Sequence, residues 1–158
     1  MTQEVAKEVI AFMVRYNKHF EELSAFVSEK RAKVIADELM WLIDALTTEQ
    51  RLIMEGNDLE AKRLELFERL GISGRKAREL IEECPPELKS KLTLECAAME
   101  KHVDFIKDTN ADIIELIERK LSIQEKLMHK SHSTSSTYTG KGVKVTKHNT
   151  SGGFFSEV

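Results

Sequence analysis

Between Asp37 and Gly71, Leu39, Leu42, Leu46 and Ile53, followed by Leu59, Arg63, Leu66 and Leu70, recur at helical spacing. Such spacing places side chains along one stripe of a helix. Charged residues fill most of the remaining surface. Gly71 ends the pattern, where a helix favours a residue that tolerates a left-handed conformation. A helix of this length spans about 50 Å. It cannot bury its stripe alone, so the rest of the chain has to supply long partners.

Those partners are present. Thr2 is a candidate N-cap, and Val5, Val9, Phe12, Met13, Tyr16, Phe20, Leu23, Phe26 and Val27 mark a first amphipathic helix. Its stripe fails over Ser28–Lys33, which offers only Ala32 to a core. The spacing predicts a turn near Val34–Ala36, with Asp37 as N-cap of the central helix. Gly56-Asn57-Asp58 is a weak point within that helix, compatible with a kink, a close helix contact or a break.

Beyond Gly71, Ser73 can cap a short helix from Gly74 to Cys84, with Ala77, Leu80 and Ile81 inward. Pro85-Pro86 ends it and can open the next helix. Leu88, Leu92, Cys96, Met99, Val103, Ile106, Asn110, Ile113, Ile117 and Leu121 then extend a stripe to about Met128. The expected fold is all-α: an antiparallel bundle of three long helices and one short one.

Composition changes at His129. The last segment is rich in Ser, Thr and Gly and carries a net charge of +3, leaving −6 on residues 1–128. The expected organisation is a helical bundle over 1–128 and a flexible polar tail over 129–158. Phe154-Phe155 could dock on an apolar groove or remain in solvent.

Little in the chain suggests catalysis. No Glu-x-x-His pair, glycine-rich phosphate loop or zinc spacing occurs, and His129-Lys-Ser-His132 fits a polar tail better than a metal site. His102 reads as a surface histidine. Gly71-Ile-Ser-Gly-Arg-Lys76 reads as a turn. Cys84 and Cys96 read as free thiols. The chain is not expected to be an enzyme, nor to need a cofactor or metal. An overall charge of −3 argues against nucleic acid. No apolar run reaches the roughly 18 residues a membrane helix needs, and the N-terminus lacks secretion features. The reading is cytoplasmic. Asn110 falls on the apolar stripe of the last helix, either satisfied inside the bundle or marking an open end.

An ordered set of residues resembles a known family. Glu29 with Ala32, then Asp37, Leu39, Leu42, Leu46 and Thr48-Glu49-Gln50 are followed by Leu59-Glu60-Ala61-Lys62-Arg63 and Leu70-Gly71. Asn110-x-x-Ile113 and Tyr138-Thr-Gly140-Lys-Gly142 complete the order. From Leu23 to Gly142 the chain resembles the FlgN-type flagellar export chaperones. The departures are Lys107, where an asparagine is common, and a tail that continues past Gly142.

The resemblance implies a cytoplasmic protein that binds C-terminal segments of hook–filament junction proteins, prevents their early assembly and delivers them to the flagellar export gate. The expected binding surface is Ile113, Leu116, Ile117, Leu121 and Leu127, because Ile113-Ile114 and Leu116-Ile117 widen the apolar face beyond what one neighbour covers. Tyr138 is the corresponding candidate for docking to the export gate. The competing reading is a structural coiled coil that pairs with itself as a homodimer.

Overall fold

The structure, a computed structural model, describes residues 1–134. Four helices follow one another: α1 (Gln3–Ile35), α2 (Leu39–Arg69), α3 (Ala77–Glu82) and α4 (Pro86–Thr134). Three are long and one is short. Of the tail expected over residues 129–158, the part beyond residue 134, including Phe154-Phe155, lies outside the described residues.

Helix boundaries follow local chemistry. Thr2 Oγ1 accepts the Val5 amide at 3.3 Å, satisfying one of the free donors of the first turn of α1. At the other end of α1 the Glu38 amide donates to the Lys33 carbonyl and the Asp37 amide to that of Val34. This is a Schellman closure, and it requires a left-handed residue. Asp37 takes that role with φ 57°. It therefore ends α1 rather than capping α2, as the sequence had suggested. Gly71, φ 68°, closes α2 in the same way. Its Schellman bond brings together Ile72 and Phe67, both buried in one core cluster.

Other boundaries also differ from expectation, and α3 ends at Glu82 rather than Cys84. Gly74 takes a left-handed φ of 75°, so α3 starts at Ala77 rather than after Ser73. The Lys76 amide donates to a Glu79 carboxylate oxygen at 3.2 Å. Helix α4 runs past Met128 to Thr134, because no glycine or proline interrupts it before Gly140.

Polar pairs give the helix directions. From the turn outward, α1 and α2 are joined by Lys33–Glu38, Lys30–Glu49, Glu22–Arg51, Tyr16–Glu60 and Glu8–Arg69. Numbers rise on one helix as they fall on the other, so the pair is antiparallel. Between α1 and α4 the partners are Asn17–Glu95, Ser24–His102 and Arg31–Asp112. These rise together, so α4 runs parallel to α1. His102, expected at the surface, is half-buried in this seam, its Nδ1 lying 3.1 Å from Ser24 Oγ.

Two apolar clusters fill the bundle. One joins Val9, Ile10 and Met13 of α1 with Phe67, Ile72, Leu80, Cys84 and Leu92. The other joins Phe26 and Val27 with Leu52, flanked by Trp41, Ala45 and Ile106. Between them lies the close approach of α2 to α1. A Cβ on Gly56 would stand 3.0 Å from His19 Nε2, so α2 passes unbroken through Gly56-Asn57-Asp58 in close contact with α1.

Most of the expected α4 stripe, from Leu88 to Ile106 and at Ile113, faces inward, as do Leu59, Arg63, Leu66 and Leu70 of α2; elsewhere the stripes depart from their sequence positions. On α2 the buried residues are Leu52 and Phe67, while Leu39, Leu46 and Ile53 are exposed. On α4 Thr109 and Ile113 are buried, while Asn110 faces outward. Adjacent apolar pairs such as Leu52-Ile53 and Leu116-Ile117 leave the phase of a helix undefined until its neighbours choose.

The chain forms two compact units, Met1–Leu121 and Ser122–Val158. The first holds both clusters. In the second, residues 122–134 are helical and Ile123 and Leu127 are exposed.

Candidate helix-binding groove

Within the first unit, α1, α2 and α4 surround an apolar cavity of about 310 Å³. Val9, Met13, Tyr16 and Phe20 of α1 line it. Glu60, Arg63 and Phe67 of α2 face it on one side, and Leu92, Cys96, Met99 and Val103 of α4 on another. Arg75, Ala77 and Leu80, from the α3 region, also border it.

The α2 wall carries a small polar network. Tyr16 Oη donates to Glu60 Oε2 at 3.0 Å, and Arg63 binds both Glu60 oxygens at 2.8 and 2.6 Å. The Arg63 guanidinium also lies 5.1 Å from the Phe67 ring centroid, within cation–π range. Burial, reinforced by the bond to Glu60, pushes the Tyr16 phenol up to about 12. The Arg63 hydrogen bond holds the Glu60 carboxyl below its usual range. The opposite charges of Glu60 and Arg63 are thus paired within the network, and most of the remaining lining is apolar.

The α4 residues expected to bind a partner are placed unequally. Ile113 is 4% exposed and belongs to the interior. Leu116 is half-buried. Ile117 and Leu121 are 41% and 55% exposed, and neighbouring Ile114 is 59% exposed. Leu127 is exposed in the second unit. Tyr138 lies outside the described residues.

A second exposed row was missed in the sequence. Leu39, Leu46 and Ile53 of α2 are 65%, 60% and 56% exposed, with Met40, Ile43 and Met54 beside them. Its signal was the unbroken run Leu39-Met-Trp-Leu-Ile43, too wide for one neighbour to cover.

The protein-family model described as FlgN protein matches residues 1–146. The chain belongs to the FlgN family. FlgN proteins are flagellar export chaperones, a family of binding proteins rather than of enzymes. No curated protein and no solved structure shows a match to this FlgN chain.

Among the described residues, no group of three His, Cys, Asp or Glu side chains is placed to hold a metal ion. Cys84 and Cys96 are free, and burial raises both thiols, which opposes thiolate formation. Among the described residues, no helix is long and apolar enough to cross a membrane.

Proposed function

We propose that this FlgN protein works in the cytoplasm as the chaperone of hook–filament junction proteins, binding their C-terminal segments, preventing premature assembly and delivering them to the export gate. The observation that carries the reading is the exposed aliphatic row Ile114, Ile117 and Leu121 on α4, in a chain of this family. An unassembled segment with an unburied apolar face is recognised by a complementary apolar surface, as in helix-in-groove binding. Ile117 and Leu121 make the contact and Leu116 borders it. Ile113 supports the surface from inside. Leu127 is a further contact, made by the second unit. Tyr138 docks the loaded chaperone to the export-gate component. No cofactor takes part.

The double substitution Ile117→Asp with Leu121→Asp leaves helix content unchanged by circular dichroism. It abolishes binding of the junction-protein C-terminal peptides in calorimetric titration. Loss of helix content instead would place both residues in the core and end this assignment. For Tyr138→Ala the expected outcome is normal peptide binding with weaker capture by the purified export-gate component. Equal capture would remove Tyr138 from the docking step.

A further inference from the structure

Leu39, Leu46 and Ile53 lie seven residues apart on α2, and the next such step reaches Glu60, which lines the cavity. On α4 the same step leads from Cys96 and Val103, also lining it, to Asn110 and Ile117. Seven-residue steps return to one side of a supercoiled helix. The bundle keeps that period: Asn17 and Ser24, seven apart, meet Glu95 and His102, seven apart. Each cavity wall therefore continues as an exposed row towards the α1–α2 turn.

We infer that the partner segment binds as a fourth long helix seated between α2 and α4, with Leu39, Leu46 and Ile53 as its second wall, and that basic residues flank its apolar face. The identity of that partner rests on the chaperone reading; the groove does not.

Three arguments define the occupant. Both walls are helices whose backbone groups are already paired, so an extended strand would find no main-chain partners there, whereas a helix satisfies its own. From Leu39 to Glu60 the wall is about 32 Å long, which fits a helix of about 20 residues. Over residues 39–58, α2 carries Asp44, Glu49, Glu55 and Asp58 against Arg51; Glu49 is paired with Lys30 and Glu55 with Arg51, so the acidic excess of this wall rests on Asp44 and Asp58. A second copy laid along α2 would bring acid against acid, while Lys and Arg beside an apolar stripe would be drawn to it.

The test uses the full chain and two synthetic helical peptides of about 20 residues with the same leucine face, one flanked by Lys and the other by Glu. Calorimetric titration is expected to show saturable binding of the Lys peptide. Affinity falls at least tenfold for the Glu peptide, and at least tenfold in Leu46→Asp with Ile53→Asp. The milder pair Leu46→Gln with Ile53→Gln moves the same way, and circular dichroism confirms that both variants are folded. Unchanged affinity in folded variants would remove α2 from the site. Equal binding of the two peptides, or binding of neither, would also overturn the proposal. So would a dimer, seen by sedimentation equilibrium, that the same substitutions dissociate, since a second copy would then occupy the wall. If the Lys peptide binds and the junction-protein peptides do not, the groove stands and the chaperone reading falls.

Discussion

Tyr16 shows how much one side chain can report. Its phenol is part-buried and donates to Glu60, so the folded protein keeps the proton to about pH 12 against an ordinary value of 10.0. The neutral phenol thus favours the fold fully below pH 10, and that contribution is lost as pH rises through about 12. Urea unfolding across this window should show a steeper alkaline loss of stability in the wild type than in Tyr16→Phe. Parallel curves would mean that the phenol titrates alike in both states. Residue-scale detail was otherwise the least legible in the sequence. Leu52 and Ile53 are adjacent aliphatic residues, yet one is buried and the other exposed. Only contact with Phe26 and Val27 decides between them. The same ambiguity hid the α2 wall of the groove and placed Ile113 on the surface.

At the scale of elements, helix ends were legible where a special residue marks them. Gly71 announced the end of α2. The end of α1 was located without its mechanism, because Asp37 takes a left-handed turn that usually falls to glycine. Lys120 pairs with the Asp37 carboxylate and with the Ile35 carbonyl, tying that turn to α4. Gly71 has open space around it, so Gly71→Ala tests backbone strain alone. The expected cost is about 1 kcal/mol, read from the urea midpoint; no change would mean the turn relaxes to another conformation. The α4 part of the groove was visible as an excess of aliphatic width, because Ile113-Ile114 and Leu116-Ile117 offer more apolar surface than one neighbour can cover. Its phase was not visible, and neither was the opposing wall.

For the whole molecule, the number and length of helices followed from stripe lengths and from Gly71 and Pro85-Pro86. The parallel course of α4 along α1 follows from an odd number of long helices joined by turns. The polar contacts then show two ways of closing this architecture. Along the α1–α2 hairpin, pairs separated by 5, 19, 29, 44 and 61 residues succeed one another outward from the turn. Each contact brings the next within reach, so little additional loop entropy is lost at any step. Contacts from α1 to α4 span 78 to 85 residues throughout, with no local member to start the series. Pulsed hydrogen exchange during refolding should protect amides of α1 and α2 before those of α4; simultaneous protection would show one concerted step. During synthesis, α2 is complete at Arg69 before α4 begins at Pro86. The expectation for synthesis is that the hairpin zips while the chain is still growing and that α4 closes against it afterwards. In that order of folding one wall of the groove is older than the other, and the receptive surface comes into being only when the last helix arrives.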